Sequence, residues 1–164
     1  MKKVLSLLVD NTAGVLSRVS GLFSRRGYNI TSLTVGETAD PRYSRMTVVA
    51  EGDEQTLEQI TKQLGKLIDV LDIRTLHPDD SVNRELVLVK VRAVGDQRQD
   101  VITLANVFRG RTVDVGHDSL IIELTGQQSK LDAFLRLIQN YEILELARTG
   151  ITGLTRGSED VRYL

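Results

Sequence analysis

Val9-Asp10-Asn11-Thr12-Ala13-Gly14-Val15-Leu16 joins two segments with different hydrophobic periods, and that change of period decides the fold. Ahead of it, Val4 to Val9 is a short apolar run of strand length. Behind it, Val15, Leu16, Val19, Leu22 and Phe23 recur at the i, i+1, i+4, i+7, i+8 spacing of one buried helical stripe, with Arg18, Ser20 and Arg25 on the outer face. The first N–H groups of that helix have no intrahelical acceptor and carry the positive end of the dipole. A small carboxylate can therefore be held there without a charged side chain, and Gly14 removes the Cβ that would block its approach. The same residues also fit a plain strand-to-helix turn in which Asn11 caps the helix and Gly14 reverses the chain. Taken alone, they leave both readings open.

Working outward, Arg25-Arg26-Gly27 closes the helix, with basic side chains at the negative dipole end and a glycine suited to a left-handed terminus. Gly21 is read as a close helix-packing contact. Asn29 to Val35 reads as a second strand, Glu37 to Tyr43 as a polar loop stopped by Pro41, and Ser44 to Glu51 as a third strand. Asp53 is a good N-cap for a helix carrying Leu57, Ile60, Leu64 and Leu67-Ile68 up to Asp69, and Val70 to Leu76 supplies a fourth strand. The order βαββαβ is the ferredoxin-like split unit. His77-Pro78-Asp79-Asp80-Ser81 then breaks the pattern.

The second half repeats the order. Arg84 to Ala93 is a strand, Gln99 to Phe108 a helical face, Arg111 to Val115 and Ser119 to Gly126 strands, Leu131 to Ile138 a helix and Ile143 to Leu146 a strand. The expectation is an α+β chain of two tandem ferredoxin-like βαββαβ domains, residues 1–77 and residues 81–164. After Ala93, however, Val94-Gly95-Asp96-Gln97-Arg98-Gln99-Asp100 is acidic where a carboxylate would have to bind, which assigns sensing to the first domain alone.

Composition removes several classes of function. The 164 residues carry 21 Lys+Arg against 22 Asp+Glu, so there is no basic excess for nucleic acid. The first and third strands also lack the stacking aromatics an RNA-binding version of this fold would present. The absence of cysteine excludes disulfides, thiol nucleophiles and thiolate-held metal, and suits a reducing cytoplasm. The apolar start is broken at Asp10-Asn11 and lacks a small-x-small cleavage site, and no later run approaches membrane-spanning length, so neither export nor a membrane is expected. His77 and His117 stand in loops apart from any catalytic or metal-binding group, and no phosphate-binding glycine loop of recognised spacing occurs.

Gly14, Leu16, Val19, Phe23, Gly27 and Asn29-Ile30 resemble the opening of an ACT domain, a small amino-acid-sensing module. Asn11 through Ile30, with Leu33-Thr34-Val35, Ser44-Arg45-Met46-Thr47, Leu131-Asp132-Ala133-Phe134 and the ending Ala147 to Gly157, resembles the regulatory subunits of acetolactate synthase over almost the whole chain. The resemblance implies a non-catalytic, cytoplasmic regulator of branched-chain amino-acid biosynthesis. It would activate a separate large catalytic subunit and transmit feedback inhibition, typically by valine. Thiamine diphosphate, Mg and FAD would belong to that partner, with no cofactor or metal in this chain. It also implies an effector site made of Asn11, Gly14, Val15 and Leu16 of one subunit with Asn29 and Ile30 of a neighbour.

The first strand is apolar on both faces, with Leu5, Leu7 and Val9 on one and Val4 and Leu8 on the other. A one-sided sheet would alternate more cleanly. A second copy of the chain, as a homodimer, and the other half of the same chain are both candidate covers. A free-standing ACT-type sensor without a synthase partner, and a small ferredoxin-like enzyme, are the alternative functions.

Overall fold

In the computed structural model, which describes residues 1–158, the first sheet is built outward from its longest apolar segment. The chain order is β1 (Lys2–Asp10), α1 (Val15–Arg25), β2 (Asn29–Glu37), β3 (Tyr43–Glu51), α2 (Glu54–Gly65) and β4 (Val70–Thr75). β1 pairs antiparallel with β3 from Lys2↔Glu51 to Asp10↔Tyr43 and with β4 on its other side, and β2 adds beyond β3. The resulting order, β2-β3-β1-β4, is that of the expected split unit. Leu5, Leu7 and Val9 of β1 and Met46, Val48 and Ala50 of β3 face Val15, Val19, Leu22 and Phe23 of α1 and Leu57, Ile60 and Leu64 of α2 in one core.

Both ends of the helices follow local sequence. Gly27, at φ 67°, ends α1; its N–H donates to Ser24 O and the Tyr28 N–H to Phe23 O, the paired bonds of a left-handed glycine terminus. Asp53 caps α2 by accepting from the Thr56 N–H at 2.7 Å. Gly21 does not mark tight packing: a Cβ there would meet only the Arg25 side chain.

The second unit repeats the topology with β5 (Ser81–Arg92), α3 (Asp96–Val107), β6 (Arg111–Val115), β7 (Ser119–Gly126), α4 (Gln128–Ile138) and β8 (Ile143–Arg148), in the order β6-β7-β5-β8. Its core joins Val87, Val89 and Val91 to Leu120, Ile122 and Leu124 under Val101, Leu131, Phe134 and Ile138. The fold class expected from the sequence is the one observed. α3 begins at Asp96, ahead of the expected Gln99, because Gly95 at φ 56° turns the chain into the helix, and only Val101 and Ala105 of α3 are buried. So weak a stripe carries little boundary information.

The division of the chain differs from the expected one. The compact units are residues 1–83 with residues 151–158, and Arg84–Gly150. β5 starts already at Ser81, inside the segment read as a linker. A short strand absent from the sequence reading, β9 (Thr152–Thr155), pairs with β5, and the Arg156 N–H donates to Asp80 O at 2.7 Å. The Ile151 N–H donates to Ser32 Oγ at 3.3 Å and Thr34 Oγ1 donates to Ile151 O at 3.1 Å. The residues behind the first sheet, Ser6, Leu8, Thr47 and Val49, are buried within the single chain. Of the apolar residues on that face of β1, Leu8 is buried and Val4 half-buried, and Ile151 is hydrogen-bonded to Ser32 and Thr34 of β2.

Candidate functional site

The turn after β1 is fixed by backbone before any side chain acts. The Asp10 N–H donates to Asp69 O at 2.9 Å and the Asn11 N–H to Arg42 O at 2.8 Å. Asn11 Nδ2 donates to Pro41 O at 2.9 Å, so its amide is pinned to the β2–β3 loop and does not cap α1. The position before the helix belongs to Gly14, at φ 88°, and no side chain caps the helix. At this φ a Cβ costs about 1–2 kcal/mol, which is the physical reason for glycine here. The first-turn N–H groups, at Val15 and Leu16, therefore point out of an open helix terminus. That of Val15 leans toward Thr12 O at 3.5 Å, too long for a strong bond.

The structure adds a charged group that the sequence reading left on the outer face. Arg18 lies one turn beyond Gly14. Its Nε and Nη2 donate to Asp69 Oδ2 at 2.5 Å and Oδ1 at 3.0 Å, while its Nη1 lies 2.8 Å from where a Gly14 Cβ would stand. Asp69, in the turn before β4, is the buried member of the pair. The guanidinium hydrogen bonds hold its carboxyl below the usual carboxylate range, against an opposing effect of burial. Arg18 is pushed up by the same bonds. Neither residue carried a signal in the sequence beyond an arginine four positions after a glycine.

The expected site residues divide into two places. Asn11, Gly14 and Leu16 are exposed together at the Asp10–Tyr43 end of the sheet, with Leu16 48% exposed, whereas the Val15 side chain is buried in the core and offers only its backbone. Asn29 and Ile30 begin β2 opposite Glu51 and Ala50, at the other end of β3. The nine-residue β3 separates the two groups by roughly 26 Å at about 3.3 Å per residue. One chain does not bring them together.

The second unit has its own glycine of positive φ before a helix, Gly95, where a Cβ would meet open space, but the groups around the helix start differ. Arg98, one turn into α3, reaches back to Ala93 O with Nε at 3.3 Å and to Gly116 O with Nη2, and Asp96 stands in the first helical turn. An acidic residue at a helix N-terminus already satisfies the dipole that an anion would seek. Among the described residues no cluster of His, Asp or Glu is arranged to hold a metal ion, and no helix is long and apolar enough to cross a membrane.

Comparison with known proteins covers both units. Residues 5–72 match the model of the "AHAS small subunit-like ACT domain", and residues 84–157 that of the "Small subunit of acetolactate synthase". The chain is 54% identical over 156 residues to the probable acetolactate synthase small subunit of Methanothermobacter thermautotrophicus, covering 94% of this chain and 93% of that one. It is 49% identical over 163 residues to the acetolactate synthase isozyme 3 small subunit of Escherichia coli, covering 99% and 100%. The crystal structure of the acetolactate synthase small subunit from Thermotoga maritima superposes with a TM-score of 0.87 at 41% identity, over 96% of this chain and 99% of that one. With both units matched and the fold shared along nearly its whole length, the chain belongs to the acetolactate synthase small-subunit family.

Proposed function

We propose that this chain is the regulatory subunit of an acetolactate synthase. It activates a large catalytic subunit and inhibits it when a branched-chain amino acid, valine in the first instance, binds at the Asn11–Leu16 turn. Thiamine diphosphate, Mg and FAD reside on the catalytic partner, the complex works in the cytoplasm in valine, isoleucine and leucine biosynthesis, and this chain takes no part in the chemistry. The observation that carries the reading is the open N-terminus of α1 behind Gly14, in a family whose members are named as synthase small subunits. Backbone N–H groups at Val15 and Leu16 suit a carboxylate, the Asn11 amide oxygen suits an ammonium, and exposed Leu16 suits an aliphatic side chain.

The separation of Asn29 and Ile30 from the turn supports a site shared between two copies. β2 ends the strand order. Two β2 edges paired about a two-fold axis would set Asn29 of one copy beside the Glu37 end of its partner. The loop that follows Glu37 carries the Pro41 carbonyl to which Asn11 is bound. Homodimers built this way complete two equivalent sites. Titration of the full chain with valine in a calorimeter, followed by a synthase assay with the large subunit with and without valine, tests the proposal. A chain that neither binds valine nor alters the synthase rate overturns it.

A further inference from the structure

We infer that Arg18 is a carboxylate-binding residue of the effector site, aimed by Asp69; this rests on the reading that an α-amino acid binds at the Asn11–Leu16 turn. The guanidinium has five N–H donors in a rigid plane. Asp69 takes the Nε and Nη2 edge, which fixes the plane, and the Asp69 backbone is itself held because its carbonyl accepts the Asp10 N–H. Nη1 points away from Asp69 and lies over Gly14, and among the described residues it has no hydrogen-bond acceptor. The Arg18 side chain is 49% exposed against 10% for Asp69. The buried carboxylate is therefore the anchor, and the guanidinium is the exposed member of the pair.

A structural ion pair needs only the edge that Asp69 occupies. The unused edge instead adjoins the one backbone position where a Cβ would collide with it, 2.8 Å from Nη1, and where the first-turn N–H groups of α1 emerge. A carboxylate entering there would accept from those N–H groups with one oxygen and from Nη1 with the other. Glycine at position 14 thus serves two purposes: it adopts φ 88° and lets the guanidinium lie against the helix terminus, where a Cβ would stand 2.8 Å from Nη1. Asp69 is a positioning residue, since it reaches the ligand only through Arg18.

Calorimetry on the full chain with L-valine and with valinamide, which lacks the carboxylate charge, tests the assignment. Arg18→Ala should weaken valine binding by about tenfold or more, the scale of one charge-assisted hydrogen bond. The preference of the wild type for valine over valinamide should shrink in the same variant. Asp69→Asn should give an intermediate loss, and Arg18→Lys should not restore affinity, because an ammonium cannot grip Asp69 and offer a fixed second edge. The double variant Arg18→Gln with Asp69→Asn leaves no unpaired carboxylate; it keeps the test valid if Arg18→Ala fails to fold, and should show the same lost preference. Wild-type valine affinity in Arg18→Ala or the double variant, while Gly14→Asp abolishes binding, overturns this inference and leaves the site reading standing. Absence of valine binding to the wild type overturns both.

Discussion

Thr34 Oγ1 donates to the carbonyl oxygen of Ile151 at 3.1 Å, joining positions 117 apart in the sequence. With the Ser32 bond to the Ile151 N–H, it ties the returning tail to β2, the strand that begins with Asn29 and Ile30. Cutting the chain near His77 therefore removes more than a second domain. Residues 1–77 should retain whatever valine binding the first domain has, but with a lower urea midpoint than the full chain, because Ser32 and Thr34 lose their bonds to Ile151 and Leu76 loses its neighbour Gly153. Thr34→Val in the full chain should cost about 1 kcal/mol for the lost bond. Full activation of the synthase should require residues 81–164 as well. Valine binding to residues 81–164 and not to a folded 1–77 would reverse the division of labour.

Gly14→Asp should abolish valine binding while leaving synthase activation largely intact. The new carboxylate would stand beside Nη1 of Arg18, in the place assigned to the ligand's own. The backbone at φ 88° adds a stability cost of about 1–2 kcal/mol, too small to unfold an ordinary domain. Calorimetry and a urea titration of the same sample separate the two effects. Unchanged valine affinity would remove the effector from this turn.

Asp69 should make stability depend on acid in one direction only. Its folded pKa is depressed, so its contribution is fully present above the unfolded value of about 3.9 and is lost as pH falls through the lower folded value. The difference in urea midpoint between wild type and Asp69→Asn should be constant from about pH 7 to about pH 5 and shrink below about pH 4. A difference that grows on acidification would mean the carboxylate is not stabilised by Arg18.

In the second unit, Glu85 is 4% exposed and receives Nε and Nη2 of Arg148 at 2.8 and 3.0 Å, with Asp132 accepting from Nη1 at 3.1 Å. Arg148→Ala would leave a buried carboxylate without its cation. The expected loss is about 2–3 kcal/mol, reduced from that of a fully buried pair because Arg148 is partly open to solvent. Urea denaturation should show it, and replacing Glu85 with Gln in the same chain should recover part of it.

Sedimentation of the full chain at micromolar concentration should give at least a dimer. Its dissociation should lower valine affinity if Asn29 and Ile30 of one copy complete the site of another. A strictly monomeric chain that bound valine tightly would contradict both pairing and sharing.

The repeated βαββαβ order was legible from the sequence because burial imposes period 2 on a strand and 3.6 on a helix, as in Leu5, Leu7 and Val9 followed by Val15, Val19, Leu22 and Phe23. So were the glycine terminus at Gly27 and the Asp53 cap, since each acts on backbone within a few residues. Asn11, Gly14 and Leu16 could be placed in one turn because they are neighbours in the chain. Their distance from Asn29 and Ile30 emerged only with the register of β3 against β1 and β2. Arg18 with Asp69, Asn11 with Pro41, and Ile151 with Ser32 and Thr34 likewise depended on the tertiary structure. These are polar contacts between distant segments, and polar side chains leave no periodic trace, since a hydrogen bond depends on a partner's position and not on a repeat along the chain.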